Sequence, residues 1–215
     1  MTMLDSRRMT YLNCFGQKFS KPGTYRYRIA SSSTRGLERD ARFTIEVKPA
    51  ASPAEAQQHD VAVRLEGREL VADPPSVSIN AGDLVLWNTP DSSIAGYVIE
   101  GEGSGWSFSS ASLTKEALYT HAFGLPGTYR WLDAHHRKLG GVVEVVSPKA
   151  DAPESSRKWL ASLGSPTVIS IRGEHADPER VEILTGQTVG WAIEEASGIS
   201  VTDASLVPGG AAKRG

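Results

Sequence analysis

Apolar and polar residues alternate along many short stretches of this chain. Val77 and Ile79, then Val85 and Trp87 beyond Ala81-Gly82-Asp83, hold every second position, which reads as a strand, a tight glycine turn and a second strand with one face buried. Pro126-Gly127 marks a turn, Thr128, Tyr129 and Trp131 are the β-branched and aromatic residues that strands prefer, and Gly140-Gly141 leads into a closing strand through Val146. A single helical pattern interrupts. Asp151 and Glu154 have capping-box spacing, and Trp159, Leu160 and Leu163 share one face before Gly164. The pattern predicts an all-β chain with one short linker helix.

The pattern also repeats. Phe19, Pro22-Gly23-Thr24-Tyr25-Arg26 returns as Phe123, Pro126-Gly127-Thr128-Tyr129-Arg130, 104 positions later. Asp73-Pro74, Val77, Ile79, Gly82, Val85 and Trp87 return at the same offset as Asp177-Pro178, Val181, Ile183, Gly186, Val189 and Trp191. Two motifs with one period indicate a duplicated unit. In chain order, residues 11–48 hold the C-terminal half of a unit, 49–59 a Pro/Ala-rich linker, 60–147 a complete unit, 151–164 the linker helix and 166–206 an N-terminal half. An isolated half would expose strand edges and an apolar face. The expected resolution is closure of 11–48 on 166–206 into a second sandwich, which pairs the Tyr25 strand with the Trp191 strand. Complementation between neighbouring chains, or continuation of the sequence beyond this stretch, are the alternatives.

Composition narrows the function. With 23 Lys+Arg against 25 Asp+Glu there is no basic excess to neutralise nucleic-acid phosphates. The lone Cys14 precludes an internal disulfide or a Cys-pair metal site. No apolar run reaches the roughly 18 residues of a membrane-spanning helix, and the first eleven residues show no signal-peptide core.

Together the motifs Ala81-Gly82-Asp83 to Asn88 and Phe123 to Trp131 resemble those of the cupredoxins of the plastocyanin and amicyanin kind, Greek-key β-sandwiches that hold a type 1 copper. The resemblance implies two such sandwiches, one contiguous and one assembled from the terminal segments. In that family the strand after the Pro-Gly-Thr-Tyr turn ends in a ligating Cys, followed by a His and an axial Met. Asp133, His136 and Leu139 hold those positions here, and Ala95-Gly96-Tyr97 stands where the upstream His is expected. Ile29 takes the cysteine position in the first half-unit, and Glu194 to Gly198 offers no His in the last. A blue copper centre needs a thiolate and two imidazoles, so neither copper nor another cofactor is expected. Asp133, His135 and His136 remain candidates for a harder metal, but a structural zinc wants four ligands, and the two histidines read as exposed loop residues.

Enzyme readings lack context. Gly101 to Gly105 leads into no phosphate-binding helix, and Ser104, Ser109, His121 and Asp133 supply the letters of a triad without its elbow. Glu100 and Glu102 are expected on a solvated turn. Trp106 and Phe108, in the Gly/Ser-rich stretch that follows, and Trp159 of the helix either pack back on the protein or serve as partner-docking anchors. The expectation is a non-catalytic, copper-free accessory subunit. It would be periplasmic or extracellular and dock by protein contacts on a larger assembly such as a membrane electron-transfer complex. The alternatives are a metal carrier or copper-enzyme fragment, and an adhesive or glycan-binding sandwich that uses Trp106.

Overall fold

The computed structural model describes residues 4–31, 41–50, 55–148 and 153–208. In chain order the strands are β1 (Met9–Thr10), β2 (Asn13–Lys18), β3 (Gly23–Ser31), β4 (Phe43–Lys48), β5 (Gln58–Glu66), β6 (Glu69–Asp73), β7 (Ser76–Asn80), β8 (Leu84–Asn88), β9 (Ala95–Gly103) and β10 (Trp106–Ser109). A second series repeats the order: β11 (Leu113–Thr114), β12 (Ala117–Ala122), β13 (Gly127–Leu132) and β14 (Gly140–Val146), then helix α1 (Pro153–Ser162). After the helix come β15 (Thr167–Arg172), β16 (His175–Asp177), β17 (Arg180–Leu184), β18 (Thr188–Glu195), β19 (Ser197–Ile199) and β20 (Thr202–Asp203). The all-β, sandwich-like class agrees with the sequence pattern. Of the capping box expected on α1, Asp151 lies outside the described residues.

Strand pairing divides the chain differently from the expected partition. One sheet runs β1-β9-β3-β4-β7, with β10 also on β9, and faces β2, β8, β5 and β6; a second runs β17-β14-β13-β20 and faces β12, β18, β15 and β16. Residues 13–48 therefore close on 58–109, and 113–146 close on 167–206. The Tyr25 strand β3 pairs with β4 and β9, and the Trp191 strand β18 with β12 and β15, so the anticipated closure of 11–48 on 166–206 does not form and 60–147 is not a self-contained sandwich. Chain connectivity explains the outcome. Each observed sandwich joins halves that follow one another closely, whereas joining the terminal segments closes a loop about ten times longer, at a cost of roughly 2 kcal/mol.

The repeated motifs are repeated bonds. Phe19 bonds through its backbone to the Gly82-Asp83 turn across the two halves of the first sandwich, with Gly82 N–H to Phe19 O at 2.8 Å and Phe19 N–H to Asp83 O at 2.9 Å; Phe123, Gly186 and Gln187 do the same in the second at 2.7 and 3.0 Å. Gly82 and Gly186 sit at φ 105° and 91°, which a side-chain-bearing residue adopts only with strain. Tyr25 Oη donates to Lys21 O and Tyr129 Oη to Leu125 O, each at 2.9 Å, which closes the Pro-Gly turn onto its own strand. In the cores Tyr27 meets Trp87 edge-on at 5.3 Å, and Trp131 meets Trp191 edge-on at 5.8 Å.

The two sandwiches share one eight-stranded sheet, β16-β15-β18-β12-β2-β8-β5-β6, through the antiparallel pair β2–β12. In that pair Phe15 lies opposite Tyr119, the residue 104 positions on, so a local two-fold axis passes between them. The N-terminal arm obeys the same symmetry. Ser6 exchanges bonds with Val201 of the second sandwich (N–H to O at 2.9 Å, Oγ from N–H at 3.1 Å), and Ser110 exchanges the same bonds with Ile99 of the first at 3.0 and 3.1 Å.

Candidate functional site

The loop after β13 is where the resemblance would put a metal. Asp133 is fully buried there and its carboxylate is occupied by its own chain. Oδ1 accepts from His135 N–H at 3.0 Å, Ser200 N–H at 2.9 Å and Ser200 Oγ at 3.2 Å, and Oδ2 accepts from His136 N–H and lies 3.0 Å from His136 Nδ1. Burial alone would raise the Asp133 pKa, yet the N–H groups of Ser200 and His135 and the contacts to His136 together hold it below the ordinary carboxylate value. Asp133 N–H to Leu139 O at 2.9 Å and Leu139 N–H to His136 O at 3.0 Å close the loop on itself, with the Leu139 side chain in the core.

The network continues outward. Ser200 Oγ accepts from Ala134 N–H at 3.0 Å, Thr202 Oγ1 lies 3.2 Å from Ser200 Oγ and 3.5 Å from Asp5 Oδ1, and Asp5 takes the Arg7 guanidinium in both oxygens at 2.8 and 3.1 Å. The bond to Asp5 raises the Arg7 pKa against the opposing effect of its partial burial.

This donor set does not fit a type 1 copper. The soft thiolate is replaced by a carboxylate whose lone pairs are already bonded, the upstream imidazole by Ser200, and the axial position by a core leucine. His135 and His136 point from an exposed turn, and among the described residues no three His, Cys, Asp or Glu side chains converge. In the first sandwich Ile29 is buried at the cysteine position, and the residues that follow β3 lie outside the described residues. Tyr97, on the strand expected to offer the upstream ligand, is core.

The docking candidates pack inward. Phe108 is buried against Trp87 and Phe19 at 5.8 and 5.3 Å, and half-buried Trp106 stacks on Phe108 at 5.7 Å with its edge toward Phe19 and Tyr25. Trp159 Nε1 donates to Thr185 O at 2.7 Å and seats α1 beside the Gly186 turn. Glu100 and Glu102 lie on β9 rather than on a turn. Gly101 and Gly103 alternate with them on the inner side because a Cβ there would strike Phe108 at 2.4 Å and the Thr24 carbonyl at 2.5 Å.

Sequence reading missed two features. His121 is fully buried beside the seam, where Asn13 Nδ2 lies 2.6 Å from its Nδ1 and 2.7 Å from Tyr119 Oη, while Asn13 Oδ1 accepts from Thr10 N–H and Oγ1. Those acceptor bonds orient the amide so that it donates to Nδ1, and the imidazole is neutral. Burial pushes its pKa down to about 4, with Asp203 opposing. The second feature is a cleft on the outer face of β3, β9 and β10, announced in the sequence by Arg26 and Arg28 alternating with Tyr25, Tyr27 and Ile29. Among the described residues no helix is long and apolar enough to cross a membrane. No family model, curated protein or solved structure matches this chain.

Proposed function

We propose that the chain is a non-catalytic, copper-free, cupredoxin-like binding subunit that docks by protein contacts on a larger assembly outside the cytoplasm. A membrane electron-transfer complex is the class of partner that the family resemblance implies. The observation that carries the reading is Asp133: the loop that would present metal ligands is instead closed by a buried carboxylate that accepts from the N–H groups of His135, His136 and Ser200. An apolar patch on the shared sheet, where Leu84, Leu86 and Leu118 converge over Gly16 and Val168 is 47% exposed, supports docking through that face. Copper(II) added to the purified protein is expected to give no charge-transfer band near about 600 nm, the signature of a thiolate–copper bond. Cross-linking in the native extract followed by mass spectrometry is expected to recover a stable partner, and loss of that partner on Leu86→Glu with Leu118→Glu would place the contact. A blue protein, or a monomer without cross-links, would refute the reading.

A further inference from the structure

The duplicated units differ most at the C-terminal end of their last long strand. In the first sandwich β9 runs on to Gly103 and turns back as β10 through Ser104 and Gly105, at φ 51° and 74°, with Ser104 Oγ bonded to Pro22 O at 3.1 Å. In the second, β20 is two residues long and passes into a 3-10 turn at Ala204–Leu206. The extra hairpin gives β3, β9 and β10 an outer face that the second sandwich lacks.

Register orders that face into rows. Arg26, Glu102 and Ser107 lie side by side across the three strands, and Arg28, Glu100 and Ser109 form the next row. Neighbouring strands stand about 4.8 Å apart and the rows about 7 Å apart. Two adjoining clefts, of about 350 and 620 Å³, run along these rows and share Arg26, Glu102 and Ser107, with Trp106 at the rim. Arg28 and Glu100 pair at 2.8 Å, whereas among the described residues Arg26 and Glu102 are in no ion pair and the Ser107 hydroxyl has no partner.

We propose that this groove binds a neutral oligosaccharide. A guanidinium only donates, a carboxylate only accepts and a serine hydroxyl does both, so the row Arg26–Glu102–Ser107 matches a ligand whose every hydroxyl can also do both. Two arginines balance two glutamates, so the rows themselves carry no net charge that would favour a polyanion or a polycation. The two adjoining clefts, sharing the row Arg26–Glu102–Ser107, suit an extended chain that spans both. The groups stand on paired strands over an aromatic core, so little ordering is needed on binding. This goes beyond the copper-free docking function and does not rest on it, since the groove lies on the first sandwich and Asp133 on the second.

The test is calorimetric titration of the full chain with the hexasaccharides of cellulose, xylan, starch and chitin, and with a heparin hexasaccharide as the charged comparison. Saturable binding of at least one neutral hexasaccharide is expected, weakened at least tenfold by Arg26→Ala and by Glu102→Gln and unchanged by His135→Ala. Both groove residues are at the surface, and a melting temperature within a degree or two of the parent's verifies that the variants fold. Binding of none of the neutral chains, binding of heparin alone, or neutral binding that survives both groove variants would overturn the proposal. A blue copper band in the same preparation would refute the copper-free reading and leave this result untouched.

Discussion

The two sandwiches keep the same residues where halves must be clasped and differ where a loop or strand end is free to do something else. Phe19 with Gly82 and Phe123 with Gly186, Tyr25 and Tyr129, Trp87 and Trp191, Ser6 and Ser110 make matching contacts 104 positions apart. Around that common frame, buried Ile29 stands against hydrogen-bonded Asp133, Gln17 against His121, and the β9–β10 hairpin against a 3-10 turn. Asp83 and Gln187 show a middle course. Both cap the turn before their strand, through Asn80 N–H at 2.9 Å and Leu184 N–H at 2.5 Å, and both tie down the incoming connector, through Gln57 N–H and Ser162 O, with different chemistry. Shared positions carry the fold, and the unshared ones are where a role particular to one sandwich has to be sought.

The shared frame gives the largest expected effects. Trp87→Ala and Trp191→Ala should each cost about 3–5 kcal/mol in urea unfolding, with the greater loss at Trp87, which meets three aromatic rings against two. An equal or reversed order would show that the number of ring contacts does not set the cost. Next comes His121. Its folded pKa of about 4 lies below the ordinary 6.5, so the stability it contributes is complete above pH 6.5 and falls by up to about 3 kcal/mol as the pH drops to about 4. His121→Gln, which installs the residue of its twin Gln17, should flatten that interval in a series of unfolding curves. A second acid loss should persist in that variant. The folded pKa of Asp133 lies below the ordinary 3.9 or so, so its contribution is present above that value and disappears as pH falls further. Asp133→Asn should remove about 2 kcal/mol at pH 7, while Ile29→Val at the twin position costs about 1 kcal/mol. The smallest effect tests the symmetry most finely: Ser6→Ala and Ser110→Ala should each lower stability by about 1 kcal/mol, equal within a few tenths.

Much of this was legible in the sequence for a physical reason. The alternation around Trp87 and Trp191 and the Pro-Gly-Thr-Tyr turns are local signals, and each strand's buried face follows from its own residues. The partition of strands between sandwiches is not local. A C-terminal half fits an N-terminal half equally well on either side of it in the chain, and the decision falls to connection length and to the seam, whose signature, Phe15 and Tyr119 at the common offset, lies upstream of the Pro-Gly-Thr-Tyr turns. Asp133 was visible as the residue in a ligand position, but its partner Ser200 is 67 residues away and nothing near Asp133 announces it. Gly101-Glu102-Gly103 looked like a turn because glycine usually marks one. In the fold the glycines are strand residues that leave room for aromatic rings, and the glutamates between them become one wall of a groove.

The exchange between Ser6 and Val201 also sets how the molecule meets mechanical load. Asp5 pairs antiparallel with Thr202, and Asp203 N–H reaches Leu4 O at 2.7 Å, so the segment entering at Leu4 and the one leaving at Asp203 lie at the same end of this small ladder. Tension applied through those two segments stresses the bonds one after another, as in opening a zipper, instead of shearing all of them at once. The arm should therefore detach at low force, free the 200–203 edge, and leave both sandwiches folded.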